Sequence, residues 1–458
     1  MTLFAINPTT GKALPGSPSL DAAGRGAAIE RAQQAYLKWR KTSFAERAAL
    51  LNRVAEIMRE DVEALAKPMV EEMGKPIREA RGEVMKSAWC AEHYASNAAN
   101  YLAPDMLDSD ATVSYVQYLP IGPVLGILPW NAPFWLAFRF AAPALMAGNT
   151  CLMKHDAHVP ACAEAIADVF KRAGAPDGVF VNLPLETPDV AAAIEDERVR
   201  AVSFTGSDRA GAIVAATAAA QIKPAVLELG GSDPVIVLAD ADLDKAADVV
   251  VLSRIINAGQ SCIAAKRIIV EEPVYAPFLE KLQTRLAKLK MGDPALETTD
   301  VGPIAREDLR ENLHRQVTAT VAAGARCLIG GEMPDGPGYF YPVTLLADVG
   351  EGMVASCEET FGPIAVAMSA KDVDDALRIA NDTPYGLGAA IWTADTARAI
   401  AMAAEIDTGQ VAINGIVKTD PRLPSGGTKR SGYGRELGPH GIKMFVNAQQ
   451  VWVGPARS

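Results

Sequence analysis

Short apolar runs alternate with helix-length stretches over most of the chain, and this alternation narrows the possible folds more than any other feature. Residues 122–129 form an apolar run entering a Pro-rich turn. Residues 150–154 form a second, followed by helical spacing over 160–173, and residues 199–204 a third, followed by an Ala-rich stretch. Residues 226–229 and 234–238 continue the series. After residue 262 the pattern restarts, with strands expected at 267–270, 362–369, 388–392 and 409–414 and helices at 275–290 and 372–381. Strands separated by helices in this way build parallel, doubly wound sheets, so two successive α/β units are expected.

Ahead of them, residues 21–101 read as helices. Ile29, Ala32, Tyr36 and Trp39 recur at helical spacing, as do Leu50, Leu51, Val54, Ile57 and Met58, with Pro68 and Gly74-Lys75-Pro76 as punctuation. Residues 112–118 alternate and are rich in Val and Tyr, which predicts a strand. The tail, 445–453, reads as an extended segment with nothing local to pair with, so a partner in another subunit is expected.

A chain of 458 residues exceeds one ordinary core and implies two or three structural units. The net charge of −11 argues against nucleic acid or an anionic membrane as main partner. The N-terminus lacks a basic region followed by a long apolar run, and no charge-free apolar stretch reaches the roughly 18 residues of a membrane span. Cysteines 90, 151, 162, 262, 327 and 357 are scattered, with no CxxC pair, and the five histidines form no HExxH. That pattern fits reduced thiols in a cytoplasm better than a disulfide framework or a metal site.

Four segments carry chemistry. Gly259-Gln260-Ser261-Cys262-Ile263 places a cysteine after a small-residue turn, where the backbone can approach a ligand. An isolated cysteine is more often a core residue, and the polar neighbours Asn257, Gln260 and Ser261 weigh against that without deciding it. Leu227-Glu228-Leu229-Gly230-Gly231 sets a carboxylate between leucines at a strand end. Apolar surroundings raise a carboxylate pKa and suit a general base, although a strand-end glutamate is commonly just half-exposed. Pro129-Trp130-Asn131-Ala132-Pro133 holds a side-chain amide in a rigid turn, an oxyanion donor if it lies beside a thiol and otherwise an ordinary turn Asn. Phe204-Thr205-Gly206-Ser207, running on to Gly211, follows a strand and opens a helix. Helix starts favour phosphate, but the spacing is GxxxxG and not GxGxxG.

Taken together, these segments resemble the aldehyde dehydrogenase superfamily almost end to end. The resemblance is carried by Ile6-Asn7-Pro8-Thr9-Thr10-Gly11, the four segments above, Glu358-Glu359-Thr360-Phe361-Gly362-Pro363 and Gly426-Gly427-Thr428-Lys429-Arg430-Ser431-Gly432-Tyr433-Gly434-Arg435-Glu436. It implies two doubly wound α/β domains plus a small β oligomerisation arm. The dinucleotide-binding domain would span 1–102 and 120–230, the catalytic domain 231–430, and the arm 103–119 and 440–458, in a cytoplasmic homodimer or homotetramer. It also implies that Cys262 attacks an aldehyde, that Asn131 and the Cys262 N–H hold the oxyanion, and that Glu228 activates water. Glu359 is expected at the nicotinamide ribose with Phe361 near that ring. Gly206 and Ser207 are expected at the pyrophosphate, Trp130 near the phosphates and Lys154 at the adenine-side ribose. His155, Ala157 and Leu229 complete the expected cofactor surface.

The closer resemblance is to bacterial succinate-semialdehyde dehydrogenases with Lys-His, here Lys154-His155, where Lys-Pro is common. Arg139 lies where such relatives place an arginine that can grip a carboxylate in two-pronged fashion, with Trp135, Ser261, Thr419 and Ser425 around the substrate. Departures are informative. Ile256 replaces a second pocket arginine, Arg254 is the nearest substitute in sequence, and Thr419 or Lys418 is expected to supply the missing polar contact. Ser425 replaces an aromatic residue, and Ser261 removes a neighbouring cysteine. Ala157 stands where NAD-preferring relatives carry a glutamate, leaving both NAD and NADP open, with Asp156 opposing a phosphate if it points inward. Other semialdehydes or aliphatic aldehydes remain alternative substrates, and a thiol hydrolase or esterase using Cys262 and Glu228 is the alternative chemistry.

Overall fold

The computed structural model describes residues 2–455; Met1 and residues 456–458, the far end of the expected arm, lie outside the described residues. One sheet has six strands in the order Gly432–Tyr433, Ala225–Glu228, Ala201–Thr205, Pro123–Leu128, Thr150–His155 and Phe180–Asn182. Every pairing in it is parallel except that of Gly432–Tyr433. Pro123–Leu128 and Thr150–His155 are buried along their whole length, which is why they read as unbroken apolar runs. From Pro123–Leu128 the chain steps outward through Thr150–His155 to Phe180–Asn182, then returns to Ala201–Thr205 on the opposite side. In open α/β sheets such a reversal opens a crevice beyond the carboxyl ends of the strands. Trp130 and Asn131, Lys154, Gly206 and Ser207, and Glu228 all sit at those ends.

The second sheet has seven strands: Arg326–Ile329, Thr344–Ala347, Ile364–Ala370, Arg267–Glu271, Pro234–Val237, Gly388–Trp392 and Gln410–Ile413. Only its first pairing is antiparallel. Cys262 precedes Arg267–Glu271, Glu359 and Phe361 precede Ile364–Ala370, and Gly230-Gly231 precede Pro234–Val237. The amino edge of this sheet therefore meets the carboxyl edge of the first.

The N-terminal helices are α1 (Ala22–Trp39), α2 (Phe44–Glu60), α3 (Val62–Met73) and α4 (Ile77–Tyr101), and α5 (Pro133–Met146) follows the Asn131 turn. Ser43 and Glu46 form a capping box that starts α2. Pro68 does not punctuate the helices as expected; it lies inside α3, which ends at Gly74 with φ 74°. A left-handed glycine frees the backbone to leave the helix, so the glycine and not the proline supplies the break.

The tail corrects a second expectation. Val446–Val453 is not an orphan: it pairs antiparallel with Val113–Pro120, from Val446 opposite Pro120 to Val453 opposite Val113. Asp105–Met106 adds the third strand of this sheet. The partner is remote in sequence, so no local pattern could reveal it. Among the described residues no helix is long and apolar enough to cross a membrane, and no group of three His, Cys, Asp or Glu is placed to hold a metal.

Candidate active site

The cysteine sits after a turn that the fold holds in an uncommon conformation. Asn257, Ala258 and Gly259 have φ of 56°, 52° and 74°, and left-handed values are costly for the two non-glycine residues. Two charged side chains hold it there. Glu79 of α4 accepts the Asn257 N–H at 2.6 Å, and buried Arg254 donates to the carbonyls of Gly259 (2.7 Å) and Ala265 (3.1 Å). Arg254 is thus spent on the loop, and Ile256 is solvent-facing, so neither forms a second cationic contact in the pocket. Lys266 donates to the carbonyls of Ser261 (2.9 Å) and Cys262 (2.6 Å) and pairs with Glu359 at 3.1 Å. Cys262 is partly exposed. Burial nevertheless pushes its thiol up to about 11, against the pull of Lys266 and Arg139, so it needs a proton acceptor before it can attack.

Glu228 supplies a candidate. It ends a strand and is followed by Leu229-Gly230-Gly231, whose missing side chains let the segment run against the cysteine loop: a Cβ on Gly231 would lie 2.8 Å from the Cys262 carbonyl. Its Oε2 accepts from Arg139 Nη2 at 3.0 Å, and its Oε1 is buried without a hydrogen-bond partner among the described residues. Burial raises its pKa, Arg139 opposes, Glu436 adds to the rise, and the carboxyl is pushed up to about 7. Asn131 donates one amide N–H to the Gln260 carbonyl at 3.1 Å, which ties it to the cysteine loop and leaves its second N–H uncommitted. Lys75 (3.0 Å) and Asn257 (2.8 Å) donate to its own carbonyl.

Arg139 departs from its expected place as a free carboxylate clamp. Its Nε is bonded to Glu436 and its Nη2 to Glu228, and all three side chains are buried. The Nε and Nη2 of the guanidinium are thus shared between two protein carboxylates, and the free two-pronged grip expected on a substrate is not what the structure shows. Glu436 had no assigned role in the sequence. Its Oε1 accepts from Ser203 at 3.0 Å, and backbone bonds of 2.7 and 2.8 Å between Glu436 and Ser425 clasp it to the loop that carries Gly426 beneath Glu228. Ser425 is buried and approaches Gln410 at 3.5 Å. Trp135 is covered by Lys86 of α4, whose Nζ lies 4.0 Å from the ring centroid and donates to Thr419 at 2.8 Å. Lys418 is exposed. Lys86, Lys266, Glu79 and Glu436 are the residues that reading the sequence missed. Only Glu436 had a signal, its place in the final motif.

On the other side of the cleft, Glu359 also accepts the Gly231 N–H at 3.1 Å, and Trp130 meets Phe361 edge-on at 5.9 Å. Ser207 caps the helix Asp208–Ala220, accepting from Ala210, and Leu229 packs over Gly211 in its first turn. Lys154 is buried with no hydrogen-bond or ion-pair partner among the described residues, and burial lowers its pKa. A buried ammonium whose nearby opposing charge is Asp156, a helix start at Ser207 and a braced carboxylate across the cleft suit a phosphate-bearing dinucleotide. Asp156 is turned onto His158, with Oδ1 2.7 Å from its Nδ1, and Ala157 adds no charge. His155 departs from its expected place on the cofactor surface. Its Nδ1 accepts from the Asp156 N–H (3.0 Å) and its Nε2 meets the Pro133 carbonyl (3.1 Å), so it is spent bracing the Asn131 turn.

Comparison with known proteins agrees with this construction. The aldehyde dehydrogenase family model matches residues 2–451. A probable succinate-semialdehyde dehydrogenase (NADP+) of Synechocystis sp. is 46% identical over 453 residues, covering 99% of this chain and 100% of that protein. A succinate-semialdehyde dehydrogenase (NADP+) of Mycobacterium avium is 45% identical over 462 residues, covering 100% and 98%. The structure of succinic semialdehyde dehydrogenase from Streptococcus pyogenes in complex with NADP+ superposes with a TM-score of 0.97 at 36% identity, over 99% of this chain and 100% of that one. A cysteine turn, a buried glutamate and a dinucleotide crevice meet between two doubly wound sheets in a chain matched from end to end, and the chain accordingly belongs to the aldehyde dehydrogenase family.

Proposed function

We propose that this protein oxidises succinate semialdehyde to succinate with NADP as electron acceptor, through Cys262. The observation that carries the reading is the meeting of the Cys262 turn, the Asn131 amide and a buried Glu228 poised near neutrality at one cleft. Glu228, as carboxylate, takes the thiol proton, and the Cys262 sulfur adds to the aldehyde carbon to give a thiohemiacetal. The second N–H of Asn131 and the Cys262 N–H receive the developing oxyanion. A nicotinamide dinucleotide held in this cleft would supply the hydride acceptor through which the thiohemiacetal on Cys262 becomes a thioester. Glu228, having passed the thiol proton to solvent, removes a proton from water, which attacks the thioester carbonyl; the acid leaves and the departing Cys262 thiolate takes the proton from Glu228. Glu359, braced by Lys266 and Gly231, would hold the nicotinamide ribose, and Ser207 and Gly206 the pyrophosphate.

NADP is favoured by charge. Lys154 makes no direct ion pair among the described residues, Asp156, whose charge reaches it, is bonded to His158, and Ala157 presents nothing to repel a 2′-phosphate. The relatives named for this activity are NADP enzymes. Ala157→Glu should therefore raise KM for NADP by about tenfold or more and spare NAD, since a carboxylate beside the phosphate costs at least 1.4 kcal/mol. The same reading makes the protein a cytoplasmic homodimer or homotetramer joined through the arm, where Met106, Leu107, Trp452 and Val453 are exposed. A monomer in sedimentation would overturn that part.

The deciding experiment follows reduced nicotinamide by absorbance with succinate semialdehyde and NADP or NAD, with Cys262→Ala as control. Turnover that is faster with succinate semialdehyde than with butanal and absent in the variant supports the reading. Equal rates on the two aldehydes would remove the substrate, and turnover in the variant would remove the mechanism.

A further inference from the structure

With Arg139 engaged by two glutamates, the substrate side of the cleft needs another cation if it is to take an acid-bearing aldehyde. We infer that Lys86 is the specificity-determining residue that receives the far carboxylate of the substrate, in a seat made with the Thr419 hydroxyl and the face of Trp135. This rests on the proposed oxidation of a semialdehyde and deepens it.

Lys86 lies on α4, a helix whose pattern otherwise reads as packing. Its ammonium sits over the Trp135 ring at 4.0 Å and donates to Thr419 Oγ1 at 2.8 Å. Trp135 lies four residues from Asn131 and four from Arg139, so this seat adjoins the cleft along the first turns of α5. The acidic groups within reach of Lys86 are committed elsewhere. Glu83 pairs with Lys75 and accepts the N–H groups of Phe134 (2.9 Å) and Trp135 (3.2 Å). Asp420 is held by Arg422 through both oxygens, at 2.8 and 2.6 Å. Lys86 therefore has no ion pair among the described residues, and burial, with Arg139 adding its like charge, lowers its pKa to about 8. A half-buried cation without a counter-ion is stabilised by an arriving anion, and it already carries a hydroxyl that can share the load. A neutral aldehyde gains nothing from it.

The test compares Lys86→Met and Lys86→Arg with the wild-type enzyme on succinate semialdehyde and on butanal, which has the same four-carbon length with a methyl in place of the carboxylate. Met keeps the packing on Trp135, so the variant isolates charge. Lys86→Met should raise KM for succinate semialdehyde by about tenfold to a hundredfold, the worth of a charged hydrogen bond, with kcat little changed and butanal unaffected. Lys86→Arg should recover most of the loss. Equal losses on both aldehydes, or none on either, would overturn the assignment. A wild-type enzyme that does not prefer succinate semialdehyde would instead sink the proposed function. In that case protection of Cys262 from alkylation by succinate, present in wild type and lost in Lys86→Met, still reads the anion seat directly. Protection unchanged by the substitution would refute it.

Discussion

At the scale of single residues, the site depends on a shared charge. Glu228 is held near pH 7 because burial raises its pKa while Arg139 restrains the rise. Below that pH it is protonated and cannot take a proton from thiol or water; above it, it can. The kcat profile should therefore climb through an apparent pKa of about 7. Glu228→Gln removes the acceptor for the thiol proton as well as for water, so it should abolish the climb and suppress even the first burst of reduced cofactor, read by rapid mixing; a full burst followed by a stalled thioester would confine Glu228 to the hydrolytic step. Arg139→Leu removes the restraint. It should move the limb to higher pH, slow charged and neutral aldehydes alike, and cost about 3–5 kcal/mol of stability by leaving two buried carboxylates unpaired. A KM effect confined to succinate semialdehyde would return Arg139 to the clamp role that its position in the sequence suggests.

At the scale of elements, α4 does more than pack. Glu79, Glu83 and Lys86 follow i, i+4, i+7 spacing and share one face. Along it Glu79 braces the cysteine turn, Glu83 caps the start of α5 beside Asn131, and Lys86 reaches Trp135. Glu83→Gln loses the Lys75 pair that also holds the Asn131 carbonyl. It should lower kcat by up to about a hundredfold through misplacement of the oxyanion donor, with KM for NADP unchanged. An unchanged kcat would show that Asn131 is positioned without it. None of this was legible in the helix: charged residues on a helix usually mark the wet face, and only packing against α5 and the cysteine loop turns these inward. The strands were legible, because those buried on both faces leave continuous apolar runs; Thr150–His155 and Gly388–Trp392 lie where those runs predict.

For the whole molecule, the arm and the cleft are long-range constructions. Removing residues 446–458 would strip Val113–Pro120 of its eight-residue partner and leave an open strand edge. The truncated protein should melt at lower temperature and scatter light as it aggregates, while retaining the residues of the cleft; an unchanged melting curve would make the tail dispensable. The sequence by itself determined the two α/β units and placed Cys262 after a small-residue turn and Glu228 at a strand end, because these depend on local spacing; it left open whether Glu228 is buried, and the cofactor residues were legible only through the family resemblance. Only the tertiary structure decided that Glu228 is buried, that Arg139 is shared between Glu228 and Glu436, that His155 faces inward, that the tail pairs within the chain and that Lys86 makes no ion pair among the described residues. Each of those depends on which groups meet across hundreds of residues, and charge compensation is a property of the place where a side chain arrives, not of the position it occupies in the chain.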